Sequence, residues 1–389
     1  MPKTKPQQPF FWGAAISAHQ TEGKNTASDW WAFERDTIAH QGIEESGDAV
    51  DHWNRFREDI DLLANAGLNA FRFSIEWAKV EPEEGRIDEN ALKHYDNVIA
   101  HARSRGLHIC LTLWHFTLPQ WAAAKGGILS RDVRRRFTAY AECCARRYVG
   151  AVDLWQTMNE PIVYIKEGYR TGRWPPGIRS PWTALRAFLA LRSMHRETYN
   201  ALKRCGAVRV GIAKSVIAHL TAGGALIRAM FGFRQAFKNF IWNASFFVGE
   251  WTRHDFVGIN YYITDTLGAP KDERPHDDMG WRSQPEGLSY AIAWAAQAGK
   301  PVYVTENGIA TNDDRMRVAY LHDHLAVIDR ARRSGVRIEG YFYWSLLDNF
   351  EWDQGFSKHF GFIAVDPTSY ERTPKSSFRC FGEHARTNP

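Results

Sequence analysis

The chain has 389 residues, of which 44% are hydrophobic and 24% charged, as is typical of a globular protein with a packed core. Phe, Trp and Tyr make up 14% of the chain, which excludes intrinsic disorder. The net charge of +5 is too small for a protein held on nucleic acid by counterion release, and no stretch approaches the roughly 18 apolar residues of a membrane span. We therefore expect neither nucleic acid nor a membrane among its partners.

The cysteines indicate a reducing compartment. Their number is odd and none forms a Cys-x-x-Cys pair; they are Cys110, Cys143, Cys144, Cys205 and Cys380. The first ten residues, MPKTKPQQPF, lack the apolar stretch of a secretory signal. We expect a cytoplasmic protein with free thiols.

Short β-branched or aromatic runs alternate with amphipathic helical patterns along the chain. The predicted strands are Phe11–Ala15, Ala70–Ser74, His108–Leu113, Val152–Thr157, Val208–Ala213, Phe256–Asn260, Val302–Thr305 and Gly340–Trp344. Apolar residues at steps of three and four predict helices that include Trp53–Leu63, Leu92–Ala102 and Val318–Ile328. Gly67, Gly106 and Gly335 each follow a helical pattern and precede a strand, which predicts left-handed C-caps.

Eight strands that alternate with helices predict a parallel sheet with right-handed crossovers, and eight is the number that closes a (β/α)8 TIM barrel. A doubly wound open sheet is the alternative, but no glycine-rich phosphate loop follows the first strand. Because no linker or low-complexity run divides the chain, we expect a single domain over residues 1–389. In such a barrel the active site lies at the C-terminal ends of the strands.

Two glutamates follow two of the predicted strands. Glu160 ends the fourth strand in QTMNEP, and Glu306 ends the seventh in VTENG. A single glutamate after a strand is usually an ordinary loop residue, but two that point into one barrel mouth match the needs of glycoside hydrolysis. One carboxyl must be protonated to assist the leaving group, and the other must be ionised. Sixteen tryptophans also suit stacking on sugar rings, although core packing accounts for several.

Seven motifs carry a resemblance to a known family. They are FFWGAAISAHQTEG at 10–23, FRFSIEW at 71–77, TLWHFTLPQW at 112–121, QTMNEP at 156–161, GINYY at 258–262, VTENG at 304–308 and YWSLLDNFEW at 343–352. The sequence resembles glycoside hydrolase family 1, the β-glucosidase family, from about Phe10 to about Phe378. NEP alone is shared by several barrel families, whereas TENG together with DNFEW is highly specific.

The resemblance implies catalytic roles for four residues. Glu160 resembles the acid/base of the family and Glu306 the nucleophile. Arg72 is similar to the arginine that keeps the nucleophile ionised, and Tyr262 to the phenol that hydrogen-bonds it. Asn159 resembles the amide that binds the sugar 2-hydroxyl. The two carboxyl groups should lie roughly 5–5.5 Å apart, the retaining separation.

Further residues resemble those that hold the terminal sugar. Gln20, His115, Glu351 and Trp352 match the positions that bind its remaining hydroxyls, and Trp344 matches the indole beneath the ring. The resemblance also implies a cis peptide between Trp344 and Ser345. The structural alternatives are that His115 is simply a core histidine and that Trp344 simply packs in the core.

The sequence departs from the family in two places. Phe116 and Thr117 follow the strand-three histidine, where the family has an aromatic and then an acidic residue. The chain is also shorter than most members between Glu160 and Tyr262 and between Tyr262 and Glu306, so the leaving-group side is expected to be open. Trp174 and Trp281 are candidates for its wall, with core packing as an equal alternative.

The resemblance thus implies a retaining, exo-acting β-glycosidase that takes terminal, non-phosphorylated β-D-glucosides and also β-galactosides or β-fucosides, either small molecules or oligosaccharides. A 6-phospho-β-glycosidase is disfavoured by Glu351, although Lys358 could serve a phosphate; a non-catalytic sugar-binding protein is disfavoured because both glutamates are present. A transglycosylase stays open, as do the natural aglycone and the oligomeric state. We expect no metal and no organic cofactor, and interpret the His and acidic clusters at 276–278 and 322–324 as solvated surface.

Overall fold

Eight parallel strands close into a barrel in the computed structural model, which describes residues 9–36, 43–221, 225–267 and 274–389. The barrel strands are β1 (Phe11–Ala15), β2 (Ala70–Ser74), β3 (His108–Thr112), β4 (Leu154–Asn159), β5 (Val210–Thr221), β6 (Val257–Leu267), β7 (Val302–Asn307) and β8 (Ile338–Trp344). A separate antiparallel pair consists of β9 (Ile363–Val365) and β10 (Arg372–Pro374). The predicted (β/α)8 barrel is confirmed. The first eight residues of the chain, on which part of the localisation prediction depends, lie outside the described residues.

Helices lie between the strands on the outside of the barrel. They are α1 (Ala18–Thr21), α2 (Asp29–Phe33), α3 (His52–Asn65), α4 (Trp77–Val80), α5 (Glu89–Ser104), α6 (Gln120–Ala124), α7 (Arg131–Tyr148), α8 (Pro161–Ile165), α9 (Pro181–Arg204), α10 (Ala225–Asn239), α11 (Pro285–Ala296), α12 (Asp314–Arg333) and α13 (Ser376–Thr387). Gly67, Gly106 and Gly335 have φ angles of 93°, 75° and 84°, as predicted for left-handed C-caps. Among the described helices, none is long and apolar enough to cross a membrane.

The strand predictions fail chiefly in the length of two strands. β5 and β6 continue well past the predicted Ala213 and Asn260, and pair with each other as far as Thr221 and Leu267. The extension carries polar residues such as Lys214, which interrupt the apolar run on which the prediction was based. The added length raises these two strands above the mouth of the barrel.

The core has two layers, because alternate side chains of each strand face opposite ways. Inside the barrel, Phe11, Phe256 and Tyr303 pack together, with the ring centroids of Phe256 and Tyr303 5.3 Å apart. Outside it, a larger apolar layer joins the strands to the helices. The interior of the barrel is therefore filled by side chains.

Register shifts occur where the strands approach that end. The pairing is interrupted between Gln156 and Asn159, between Ile259 and Asn260, and between Val304 and Asn307. Such irregularities re-aim side chains at the rims of barrels. Here they lie directly before or beside the two glutamates that the sequence singles out.

Candidate active site

A cavity of about 400 Å³ opens at the C-terminal ends of the barrel strands. It is lined by every predicted site residue except Arg72, namely Gln20, His115, Asn159, Glu160, Trp174, Tyr262, Trp281, Glu306, Trp344, Glu351 and Trp352. Arg72 lies beneath its floor and is 1% exposed. The structure thus brings together residues from both ends of the chain, as the barrel topology requires.

Glu306 is held by two donors on the floor of the cavity. Its Oε1 accepts a hydrogen bond of 2.5 Å from Arg72 Nη1, and its Oε2 accepts one of 2.9 Å from Tyr262 Oη. Burial and the charge of Glu306 raise the pKa of Tyr262 well above its usual value, so the phenol keeps its proton. A buried carboxyl with a guanidinium and a phenol donor is stabilised as the carboxylate.

The guanidinium of Arg72 is fixed by more than this ion pair. It also donates to Gln156 Oε1 at 2.7 Å, to the Thr305 carbonyl at 3.0 Å and to Asn159 Oδ1 at 2.8 Å. With its donors directed to four acceptors, the fork has little freedom to turn away from Glu306. The result is a positive charge placed permanently beside that carboxylate.

Glu160 stands in a different environment. Its backbone is left-handed, with φ of 41°, a conformation that costs a non-glycine residue about 1–3 kcal/mol and is held here by a hydrogen bond from its N–H to the Ala213 carbonyl at 2.8 Å. Asn260 Nδ2 donates to Glu160 Oε1 at 2.9 Å. Burial, and next the negative charge of Glu306, raise the pKa of Glu160 to about 8, against the smaller opposing effects of Asn260 and the nearby cations. Burial and the neighbouring charge therefore favour the protonated form of Glu160.

Asn159 is hydrogen-bonded to one partner of each glutamate and also to His115. Its Oδ1 accepts hydrogen bonds from Arg72 and, at 3.2 Å, from Asn260, while its Nδ2 donates to His115 Nε2 at 3.1 Å. Burial lowers the pKa of His115 well below its usual range, so its ring is neutral. His115 Nδ1 is buried and has no hydrogen-bond partner among the described residues.

Gln20 and Glu351 form a second polar pair in the cavity. Gln20 Nε2 donates to Glu351 Oε2 at 3.1 Å, and also to the Phe350 carbonyl at 2.9 Å and to Asn349 Oδ1 at 3.1 Å. Burial, followed by the charge of Glu306, raises the pKa of Glu351 to about 8. Amide and carboxyl groups held this way can bind adjacent hydroxyls of a sugar.

Two indoles flank the His115 ring. Its centroid lies 5.9 Å from that of Trp344 and 6.0 Å from that of Trp352, and both pairs are nearly parallel. The peptide between Trp344 and Ser345 is cis, as predicted. Gly308 makes this arrangement possible, because a Cβ there would lie 1.8 Å from the Trp344 carbonyl oxygen. Aromatic faces of this kind offer apolar surface to the C–H faces of a sugar.

The outer part of the cavity contains both tryptophans predicted for the leaving-group side. Trp174 is buried, with its ring centroid 5.1 Å from Phe116 and 5.6 Å from Trp352, and its Nε1 donates to Asp353 Oδ1 at 3.3 Å. The ring centroid of Trp281 lies 5.5 Å from that of Tyr262. Both tryptophans line the cavity and also pack against its other residues. Each therefore combines the two alternatives of the sequence analysis, a wall position and a packing role.

The sequence analysis missed several residues that line the cavity or contact its glutamates. Asn260 could have been found, because it lies in the GINYY motif at the end of a predicted strand. Trp242 and Met279 lie in segments without a recognisable motif, and only the fold brings them to the cavity. Thr117, where the family has an acidic residue, donates instead to both oxygens of buried Glu76 at 3.0 and 2.8 Å.

The prediction for the two His and acidic clusters is partly wrong. His322 is exposed, but His324 is fully buried and its Nδ1–H donates to the Tyr320 carbonyl at 2.9 Å. Asp277 is also buried, and its Oδ1 accepts from the backbone N–H groups of Met279 and Trp281. Within the described ranges no group of three or more His, Cys, Asp or Glu side chains is arranged to hold a metal ion.

A barrel with one glutamate paired to an arginine and a second, buried glutamate whose pKa is raised, both in one sugar-sized cavity, is the arrangement of a glycoside hydrolase. The model of Glycosyl hydrolase family 1 matches residues 2–253 and 264–389, and the chain belongs to this family. The predicted family is confirmed, and the protein is a glycoside hydrolase.

The chain resembles other β-glycosidases over nearly its full length. It is 30% identical to Beta-glucosidase A of Thermotoga maritima, with 97% of each chain covered, and 27% identical to a Beta-galactosidase of Pyrococcus woesei, with 94% of each covered. Among solved structures, the beta-glycosidase from Pyrococcus horikoshii superposes with a TM-score of 0.91 at 35% identity, covering 100% of this chain and 96% of the other. A family 1 β-glucosidase from Thermotoga maritima gives 0.88 at 30% identity, with 99% of each covered.

Proposed function

We propose that the protein removes terminal, non-phosphorylated β-D-glucosyl residues with retention of configuration, and that it also accepts β-galactosyl or β-fucosyl residues. One observation carries the proposal: Glu306 and Glu160 share a cavity, the first paired with a cation and the second with a pKa raised to about 8. Retaining hydrolysis requires this division into nucleophile and acid. The names of the relatives, which include a β-glucosidase and a β-galactosidase, support the range of sugars.

In the first step Glu306 attacks the anomeric carbon while Glu160 gives its proton to the leaving oxygen. The carboxylate–carbon bond forms as the carbon–oxygen bond breaks, and the leaving group departs as the neutral alcohol. Asn159, fixed by Arg72, is placed to bind the 2-hydroxyl, a contact that strengthens as positive charge develops on the ring. Gln20 and Glu351 would hold hydroxyls further from the reacting carbon.

In the second step Glu160 acts as the base. Once Glu306 is bound in an ester, it no longer carries the charge that helped to raise the pKa of Glu160, so that pKa falls and Glu160 can take a proton from water. Water then attacks the anomeric carbon, the ester bond breaks, and the sugar leaves with its β configuration restored. The cycle needs no other proton carrier.

The cavity does not suit a 6-phosphorylated sugar. Glu351 occupies the sugar side, and the cations near the cavity already have partners: Lys358 donates to the Asp278 carbonyl, Arg173 pairs with Asp353, and Lys166 pairs with Glu167 at 2.7 Å. Because Arg173 and Lys166 are already held by carboxylates, a buried phosphate dianion would have at most Lys358 to pair with, which is costly.

A screen of aryl β-glycosides tests the proposal. The β-glucoside should be cleaved, together with the β-galactoside or the β-fucoside, whereas the corresponding 6-phosphates should react roughly a hundredfold more slowly or worse, because Glu351 opposes the phosphate and too few cations are open to it. Initial rates of aryl alcohol release measure this, and NMR of the first-formed sugar reports its anomer. Preference for a 6-phosphate, or an α-configured first product, would contradict the proposal.

The pH profile should report the proton on Glu160. A carboxyl whose pKa is raised keeps its proton up to that pH, so kcat/KM for a phenyl β-glucoside should be full near neutrality and fall as the pH rises through about 8. A 2,4-dinitrophenyl glucoside, whose leaving group needs no acid, serves as the comparison and should keep its rate there. If both substrates lose activity together, the limb belongs to a group that binds the sugar, such as Glu351, and not to Glu160.

We also propose that the chain acts as one catalytic domain in the cytoplasm. C-terminal α13 packs back onto the barrel through Phe378 and Phe381, which supports a single unit. The five cysteines are free thiols, and Cys110 and Cys144 are buried, which supports a reducing compartment.

A further inference from the structure

Helix α10 is attached to the barrel by its polar side. Gln235 is 3% exposed, and its Nε2 donates to the Leu220 carbonyl at 2.7 Å and to the Asp265 carbonyl at 3.3 Å. Lys238 pairs with the Asp265 carboxylate at 2.6 Å. These contacts fix the helix to the raised ends of β5 and β6.

The same polar side continues beyond the helix. Asn239 Nδ2 donates to the His219 carbonyl at 3.1 Å, and Asn243, in the π-helical turn Phe240–Ala244, exchanges hydrogen bonds with the backbone of Ile217. A surface helix of a globular protein normally turns its apolar side inward and its polar side to water. α10 does the reverse.

The apolar side chains opposite this polar face are exposed. We call them the α10 stripe: Met230, Phe233, Phe237, Phe240 and Ile241, which are 65%, 83%, 58%, 48% and 47% exposed. Their spacing of three or four residues places them along one line of the helix. A row of large apolar side chains on the surface marks a place where something other than water covers the protein.

The segment of chain that carries the stripe contains basic residues but no acidic ones. The sequence contains no Asp or Glu from Thr198 to Gly249, whereas it contains several Lys and Arg in that interval. Arg234, next to Phe233, is exposed and makes neither a hydrogen bond nor an ion pair with the residues that the structure describes. An apolar stripe with aromatic residues and an unpaired arginine beside it is the pattern of a helix that lies in a membrane interface.

We propose that the α10 stripe binds peripherally to a membrane surface that carries anionic lipid headgroups. The aromatic and aliphatic side chains would enter the boundary between headgroups and acyl chains, and Arg234 would meet the negative headgroups. The expectation of no membrane partner was based on the lack of a spanning segment, and a helix that lies on the surface does not need one. Binding of this kind is separate from the glycosidase reaction.

A second copy of the chain is the other occupant to consider. A two-fold contact through the stripe would bring the same surface of both copies together. The two Arg234 side chains would then be close, and the acid-free segment supplies no carboxylate to pair with them. An anionic lipid surface supplies the charge that the second copy lacks.

The stripe ends beside the mouth of the active-site cavity. Ile241, its last member, is followed by Trp242, which lines the cavity together with Ile217 of β5. Bound to a membrane by the stripe, the enzyme would keep its cavity near the lipid surface.

Vesicle flotation tests the proposal with the full-length protein. The wild type should float with vesicles of phosphatidylcholine and phosphatidylglycerol, and much less with phosphatidylcholine alone. Replacing both phenylalanines in one variant, Phe233→Ser with Phe237→Ser, should lower the partition coefficient about a hundredfold or more, because each exposed ring contributes at least about tenfold. Arg234→Glu should lower it roughly tenfold, and added salt should weaken wild-type binding.

Two variants at the opposite end of the barrel serve as controls. Val208→Ser changes a residue that is 75% exposed before β5, and Arg333→Glu reverses an exposed charge at the end of α12. Both should float like the wild type, and all variants should keep wild-type rates on a soluble aryl β-glucoside, which shows that they are folded. Lack of wild-type flotation, or equal flotation of the double variant, would overturn the proposal. A wild-type dimer in light scattering that the double variant converts to a monomer, without vesicle binding, would assign the stripe to a second copy instead.

Discussion

Glu306→Ala should abolish hydrolysis of every β-glycoside and, with added azide or formate, yield an α-linked product. The substitution removes the group that attacks the anomeric carbon, so the rate should fall by about 10⁴-fold or more. It also leaves a space beside Arg72 and Tyr262, the two donors that otherwise hold the carboxylate. A small anion can enter there and attack from the same face. Because only one displacement then occurs, the configuration is inverted.

The product identifies the role of Glu306 better than the loss of rate. NMR of the adduct formed from an activated aryl β-glucoside gives its anomeric configuration, and Glu383→Ala, which alters an exposed glutamate of α13, is the matched control with wild-type activity. A β-linked adduct, or substantial hydrolysis without any anion, would mean that another residue is the nucleophile.

The sequence predicted the barrel and most of the site because the relevant signals are local. Each strand is a short apolar run, and the residues at the end of a barrel strand point into one mouth, so Glu160 and Glu306 could be placed together from their positions alone. The motifs then assigned Arg72 and Tyr262, and the structure places both against Glu306.

The features that were not predicted depend on distant contacts. β5 and β6 extend beyond their apolar runs because each supplies the other with hydrogen bonds, and no local pattern marks this. Trp242 reaches the cavity through the turn that follows α10. The direction in which α10 faces is likewise set by partners such as Asp265, and its amphipathic pattern alone would have placed the phenylalanines inside.

Glu160→Ala should divide substrates according to their leaving groups. A phenyl or alkyl β-glucoside needs the proton of Glu160 and should lose most of its rate, by about 10²–10⁴-fold, the usual contribution of a general acid. A 2,4-dinitrophenyl glucoside departs unaided, so its first step should remain fast. The glycosyl-enzyme on Glu306 should then accumulate, because no base remains to activate water. A burst of dinitrophenol followed by a slow steady rate measures this.

Azide should release that accumulated intermediate as a β-linked adduct. It attacks the carbon that Glu306 already holds, from the face that Glu160 leaves open, so two displacements restore the original configuration. The same reagent should therefore give opposite anomers with Glu306→Ala and with Glu160→Ala, and Glu383→Ala should give hydrolysis alone. This difference follows from the two environments in the cavity, where Arg72 and Tyr262 hold one carboxyl as an anion and burial keeps the proton on the other. If both variants gave the same anomer, or if Glu160→Ala cleaved phenyl glucosides at the wild-type rate, the two glutamates would not have the separate roles proposed for them.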